Sequence, residues 1–357
     1  MKKFLALLLA LVMVLSFAAC SQEEKPSEPE SNPESVSEPE SSEPEEPATA
    51  ASYKLGMGIS VSTASSKAGQ AQVDATVATV VLDAEGKIVA ADLDVAQNKL
   101  VITDGAVDPA TFDARTKKEK KEDYGMKPAS PIGKEWYEQA DAFCQYVIGK
   151  TAAEIAGLET KELNDHNVAV DETLYAGCTM DITAFIDAFT KACNDEYARE
   201  FTADEFTLGL SAVSTVDSET ASATADENGK AYMYTEFAAV AVDKDGKILA
   251  ALIDSIQPKI TFDTKGEIVE AAFKGTKKEL KEDYGMAAIM SVPEWYIQAT
   301  AFEDFITGLT GDEVANLETK QNDHGYNVAA DETLYAGCTI QITGYMESVA
   351  KAVANAK

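Results

Sequence analysis

Histidine is almost missing from this chain: its 357 residues include only His166 and His324. Each follows an aspartate, and neither has a second histidine or a cysteine pair at ligand spacing, so no metal site is expected. The motifs GxSxG, GxxxxGK[ST] and GxGxxG are absent as well, which takes away the common signatures of serine hydrolases, P-loop enzymes and dinucleotide binders. No nucleophile and base can be paired for hydrolase or transferase chemistry. Basic residues are scarce, with 30 Lys and Arg against 61 Asp and Glu, a formal charge of −31. That balance argues against nucleic acid or an anionic membrane surface as partner and leaves small ligands, cations and basic proteins open. Long apolar runs are lacking too, since the stretch from Phe4 to Phe17 is too short to span a bilayer as a helix.

That stretch lies in "MKKFLALLLALVMVLSFAAC", where two lysines, an apolar run and small residues follow one another as in a secretory signal. Its ending, "FAAC", resembles the bacterial lipobox. The resemblance implies removal of residues 1–19 and a diacylglycerol on Cys20, and two acyl chains suffice for stable attachment. The plainer alternative is an ordinary signal with an incidental cysteine. Residues 20–50 follow as a linker carrying ten glutamates, six of the eleven prolines and no aromatic residue. Such a segment cannot bury enough apolar surface to fold. Extended at about 3 Å per residue, it would reach up to about 90 Å from the anchor. Loss of residues 1–19, with their two lysines, takes the formal charge to −33. The expected location is the extracellular face of the cell membrane.

The remainder is a duplication at an offset near 160 residues. "TKKEKKEDYGM" at Thr116–Met126 recurs at Thr276–Met286 with one change, "EWYEQADAF" answers "EWYIQATAF", and Asp94, Gln97 and Lys99 return as Asp254, Gln257 and Lys259. Two domains are expected, 51–200 and 205–357, each of a size to hold its own core. In both, valine-rich alternating segments flank "DAEGK" or "DKDGK", a hairpin signal with glycine where positive φ is tolerated. "KITFDTKGEIVEAAF" adds another. A helix is expected from near Glu135 and Glu294, and a last helix from near Thr179 and Thr339. In the latter Ile182, Phe185, Ile186, Phe189 and Cys193 recur at helical spacing, as do Ile342, Tyr345, Met346, Val349 and Val353. The fold class is therefore α+β, an antiparallel sheet packed with helices, twice.

Four cysteines follow Cys20. Cys178 and Cys338 are equivalent, whereas Cys144 and Cys193 become Glu303 and Val353, so a Cys144–Cys193 disulfide is one reading in an exported protein. Two buried free thiols are the other. Trp136 and Trp295, the only tryptophans, fit core packing better than ligand stacking. Tyr124 and Tyr284, in acidic glycine-bearing loops, are candidates for a site.

"DETLYAGCT" occurs unchanged at Asp171–Thr179 and Asp331–Thr339. Its position before the last helix is expected to put Thr179 and Thr339 near a helix N-terminus, which favours an anion, with Gly177 and Gly337 permitting a tight turn and close approach. An N-cap threonine after a glycine turn explains the same residue types. The strands around "DGK" or "EGK", the helices, and the small-residue box together resemble the FMN-binding domain of exported flavoproteins. That family includes flavin subunits of sodium-pumping and Rnf-type complexes and lipoproteins of extracellular electron transfer. In it, a threonine of an "SGAT" box is esterified to FMN phosphate. The resemblance sets Ala176, Gly177, Cys178 and Thr179 on that box, and Ala336, Gly337, Cys338 and Thr339 on its repeat. It departs in the leading alanine, in the cysteine, and in the register of Asp171 and Asp331, two residues earlier than the family's aspartate.

The resemblance implies FMN covalently held in each copy, with Thr179, Thr339, Gly177, Gly337, Cys178 and Cys338 as cofactor-binding residues. It also implies a flavin transferase and a membrane electron donor as partners, and a redox carrier rather than a substrate-transforming enzyme. The competing expectation is a surface binding or interaction lipoprotein without flavin, in which the box is only a cap.

Overall fold

The computed structural model describes residues 50–290 and 292–357, apart from the side chain of Met290. The stretch expected to be a signal segment, Cys20 and nearly all of the expected linker lie outside the described residues. No described helix is long and apolar enough to cross a membrane.

The fold is α+β. In the first copy the strands are β1 (Ala51–Ser62), β2 (Gln70–Leu82), β3 (Ile88–Thr103), β4 (Ala106–Val107), β5 (Thr160–Leu163), β6 (His166–Ala169) and β7 (Arg199–Ala203). The helices are α1 (Lys117–Lys120), α2 (Trp136–Val147), α3 (Ala152–Ala156), α4 (Glu172–Gly177) and α5 (Thr183–Cys193). The main sheet runs β4-β3-β2-β1-β7 and its pairs are antiparallel, while β5 and β6 form a separate hairpin. The second copy repeats the plan with β8 (Thr207–Val216), β9 (Gly229–Val242), β10 (Ile248–Ile256), β11 (Lys259–Phe262), β12 (Ile268–Ala272), β13 (Thr319–Gln321) and β14 (Asn327–Ala329). Its helices are α6 (Lys277–Leu280), α7 (Met286–Met290), α8 (Trp295–Ile306), α9 (Gly311–Ala315), α10 (Glu332–Gly337) and α11 (Thr343–Ala354).

The three hairpin signals are turns, with Gly86, Gly246 and Gly266 at φ of 74°, 80° and 80°, the left-handed region that glycine enters without a Cβ clash. Strand alternation divides the side chains between two faces. On β2, Ala78, Val80 and Leu82 meet Trp136, Phe143, Phe185 and Phe189 from α2 and α5. Ala238, Val240 and Val242 on β9 meet Trp295, Phe302, Tyr345 and Val349 in the same way. The last helix lies unusually close to the first strand. A Cβ on Gly56 would stand 2.1 Å from the carbonyl oxygen of Ala192, and one on Gly209 2.0 Å from that of Ala352.

The opposite faces meet each other. Leu55, Met57, Val73, Val77 and Leu100 pack in one core with Leu208, Leu210, Phe237, Leu252 and Phe262. The molecule thus carries a third core, shared by the two sheets, between the two helix-covered ones. Asn98 donates across it to Thr235 Oγ1 at 2.9 Å, and that hydroxyl in turn meets Ser214 Oγ at 3.0 Å. Of the two readings of Cys144 and Cys193, the structure has the free thiols and not the disulfide: Cys144, Cys178, Cys193 and Cys338 are all unbonded. Cys144 is buried in the α2 face near Lys118, and Cys193 closes α5, where burial pushes its thiol up to about 11.

Candidate functional sites

Each copy holds one large cavity between the sheet, the Trp helix and the box. The first, about 750 Å³, includes Gln97, Lys117, Tyr124, Trp136, His166 and Thr179 in its lining. The second, about 630 Å³, includes the counterparts Gln257, Lys277, Tyr284, Trp295 and Thr339. Both volumes fall in the range of ordinary small-molecule sites, roughly 300–1,000 Å³.

Local chemistry builds these walls. Thr116 and Thr276 head capping boxes with Glu119 and Glu279, so "TKKE" forms a short helix at that point. Asp94 Oδ1 accepts from the Lys118 N–H at 3.1 Å and Asp254 Oδ1 from the Lys278 N–H at 3.2 Å, tying this turn to β3 and β10. Burial is the main cause that pushes both carboxyls up, each to about 6. The anchored turn carries a lysine over aromatic rings. Lys117 Nζ stands 5.1 Å from the Tyr124 ring centre and 5.4 Å from that of Trp136. Lys277 Nζ stands 5.1 Å from Tyr284 and 5.2 Å from Trp295.

The "EDYGM" loop is pinned by the Trp helix. Glu135 Oε2 accepts from the Met126 N–H at 2.9 Å, and Glu294 Oε2 from the Met286 N–H at 3.0 Å. One turn on, the fully buried Gln139 accepts at Oε1 from both the N–H and the hydroxyl of Thr179, at 2.9 and 3.1 Å. Gln298 does the same for Thr339 at 2.7 and 3.0 Å. The two side-chain N–H groups are used as well, Gln139 Nε2 donating to Ser130 Oγ and the Lys134 carbonyl, both at 3.1 Å. A glutamine saturated in this way fixes the rotamer of the threonine it holds.

The box departs from its expected geometry. "ETLYAG" is a helix in its own right, α4 and α10, and the last helix begins four residues beyond the threonine, at Thr183 and Thr343. Thr179 and Thr339 are therefore in the connection and are not N-caps. Asp171 and Asp331 take the cap role, accepting from the Leu174 and Leu334 N–H groups at 2.9 and 3.1 Å. Gly177 and Gly337 end the short helices without positive φ. A Cβ on either would meet Ala142 or Ala301 Cβ at 3.0 Å, so their smallness serves packing against the Trp helix. Cys178 and Cys338 are fully buried and outside the cavity linings, and burial pushes their thiols up to about 11 and about 12. Of the six expected binding residues, only the threonines line the cavities.

Trp136 and Trp295 are core residues, 2% and 1% exposed, whose rings also wall the cavities. Tyr124 and Tyr284 line them, and Tyr284 donates to Gln257 Oε1 at 3.1 Å. Neither Gln139 and Gln298 nor Lys117 and Lys277 were singled out from the sequence. Their signal was there, a glutamine kept in both "EWY" segments and a lysine kept in both "TKK" segments. Among the described residues no group of three or more His, Cys, Asp or Glu has metal-binding geometry.

Among known proteins, a chlorophenol reductase of Desulfitobacterium hafniense is 34% identical to this chain over 93 residues. The match covers 22% of this chain and 28% of that protein. No family model and no solved structure matches.

Proposed function

We propose that this chain is a membrane-anchored extracellular flavoprotein that holds FMN through phosphoesters on Thr179 and Thr339 and relays electrons from a membrane donor to outside acceptors. The observation that carries the reading is the repeated setting of the two threonines. Each hydroxyl sits at the wall of a cavity of cofactor size, pinned by a buried glutamine and faced by a lysine, a tyrosine and a tryptophan. The donor set suits the group. Gln139 and Gln298 each accept from the threonine N–H as well as from its hydroxyl; an ester would replace the hydroxyl hydrogen and give up that bond, while the N–H bond would still hold the threonine at the cavity wall. Lys117 and Lys277 supply positive charge for a phosphate or an electron-rich ring, and the aromatic walls offer flat apolar surface. Bound FMN would supply the redox chemistry, and the protein would supply position, electrostatics and exclusion of water. The similarity to a protein named for a reductase is compatible with a redox role.

The test is mass spectrometry of the protein exported together with a flavin transferase. Peptides containing Thr179 and Thr339 are each expected to carry the mass of an FMN ester, and the double variant Thr179→Ala, Thr339→Ala to lose the yellow colour. Unmodified peptides from colourless wild-type protein would sink the flavin reading and favour a surface binding lipoprotein. Flavin retained by the double variant would show noncovalent binding.

A further inference from the structure

The two cavities share a frame but differ in what can hold a proton. At matching positions the first carries Asp74, Thr76, Val95, Ala184 and Phe185, and the second Tyr234, Glu236, Ser255, Gly344 and Tyr345. In the first, Asp74 is tied by two amides, Gln72 Nε2 at 2.7 Å and Gln97 Nε2 at 2.9 Å. Val95 and Phe185 bring no hydroxyl, His166 lines the cavity from the solvent-exposed start of β6, and Asp181 is spent on the Asn167 and Thr183 N–H groups. In the second, Lys277 bonds to the Tyr234 hydroxyl, which meets Ser255 Oγ at 3.4 Å, and Ser255 Oγ meets the Tyr345 hydroxyl at 3.2 Å. Glu236 reaches the first turn of α11 only because residue 344 is glycine, where a Cβ would stand 1.8 Å from Oε2. Among the described residues that carboxyl has no hydrogen-bond or ion-pair partner.

We propose that Glu236 and Lys277 form a proton-holding pair that makes the second cavity, and not the first, the proton-coupled redox site of the chain. The proposal rests on the flavin reading above. Lys277 is 6% exposed, with its Nζ 4.8 Å from the Tyr234 ring centre, and no carboxylate lies within ion-pair distance of it among the described residues. The groups facing the pair are Tyr234 on β9, Asp254 on β10, Tyr284 in the loop, Trp295 on α8, and Tyr345 and Glu347 on α11. Asp254 is spent on backbone N–H groups. Burial pushes Glu236 up to about 7, helped by the charge of Glu347, and Lys277 down to about 7, each opposed by the other's charge. Such a pair titrates as a unit and exchanges a proton near neutrality. The rings around Lys277 favour its charged form, against the effect of burial.

The balance is simple. Two electrons from the membrane donor and one proton from solvent reduce the FMN ring and leave one negative charge on it; in the second cavity the Glu236–Lys277 pair takes a second proton from solvent to match that charge, and in the first no such pair takes one up. In the first cavity Thr76 stands where the carboxylic acid would be.

The test uses the exported, flavin-loaded chain. Thr179→Ala leaves flavin only at Thr339, and Thr339→Ala only at Thr179. Each is reduced without oxygen in weak buffer near neutral pH, and proton uptake per flavin is read with an indicator dye. The second cavity is expected to take up more protons per flavin than the first. Glu236→Gln, or Glu236→Thr with the residue the first copy already accommodates, should bring it down to the level of the first. Equal uptake by the two cavities, or no change on replacing Glu236, overturns the pair and leaves the flavin reading intact. Absence of flavin from both threonines, seen by mass before any reduction, overturns both.

Discussion

Gln139 and Gln298 show how much one buried side chain decides at these sites. Each is a fully buried polar residue beside the tryptophan and phenylalanine of its helix, an expensive choice unless its hydrogen-bonding atoms are used. They are used, on a threonine, a loop and a methionine sulfur. Replacing Gln139 by alanine leaves the half-buried Thr179 N–H and Ser130 hydroxyl without this partner, a loss of about 1–3 kcal/mol at about 0.5–1.5 kcal/mol per hydrogen bond. Thr179→Ala removes the hydroxyl and the γ-methyl but keeps the backbone N–H bonded to Gln139, and should cost less in urea unfolding. On the flavin reading proposed above, Gln139→Ala in protein produced with a flavin transferase should lower flavin content at Thr179 while leaving Thr339 modified. Equal modification of both threonines would refute a positioning role for the glutamine. From sequence, the glutamine was readable as a repeated letter but not as a ligand of Thr179, because its partner lies 40 residues away.

At the scale of elements, the short α1 and α6 turns carry adjacent lysines with different duties. Lys117 and Lys277 face the cavities, while Lys118 and Lys278 point beneath α2 and α8. Lys118 pairs there with Asp92 and with Asp141 at 2.7 Å. In the second copy Leu252 and Thr300 stand at those positions, and the charge is met by Glu303 at 2.6 Å, the residue that replaces Cys144. The loss of Cys144 is therefore tied to the charge of a lysine and not to the loss of a disulfide. Both members of the second pair are buried, with side chains 6% and 1% exposed. Glu303→Gln strands the Lys278 ammonium and should cost about 3–5 kcal/mol. Asp141→Asn in the first copy leaves Asp92 in place and should cost under about 1 kcal/mol, as for an exposed pair. Urea unfolding of the two variants checks the difference, and similar losses would refute it. The hairpins, the Trp helices and the last helices were legible because their patterns are local. The box helices were not, since a six-residue helix depends on one cap and on packing against α2 or α8.

For the whole molecule, charge and burial act in the same direction. Asp94 and Asp254 have their carboxyls raised from 3.8 to about 6 by burial, so the folded state holds a proton that the unfolded chain has released. Their contribution is complete below about pH 4 and is lost as pH rises through about 6. At 1.36 kcal/mol per unit, each shift corresponds to about 3 kcal/mol. The formal charge of −31 adds repulsion over the same range. Thermal melts are therefore expected to fall in midpoint from about pH 4 to about pH 6.5, and Asp94→Asn, Asp254→Asn to flatten the trend. A midpoint that rises with pH would contradict this assignment. Asp113, held down to about 2 chiefly by its hydrogen bond with Arg115, titrates well below that window.

The sequence alone determined the duplication, the α+β class and the turns, because periodicity, glycine placement and capping residues act over a few positions. It also marked both threonines, through a repeat too close to be incidental. Tertiary structure decided the rest. Only the folded sheets show that their inner faces form one shared core. Only packing moves the repeated aspartates, glycines and cysteines of the box into cap and core duties and leaves the threonines at the cavities. The physical reason is the same in each case: burial against distant elements sets which side chains are spent on holding the fold and which keep an open side toward a ligand.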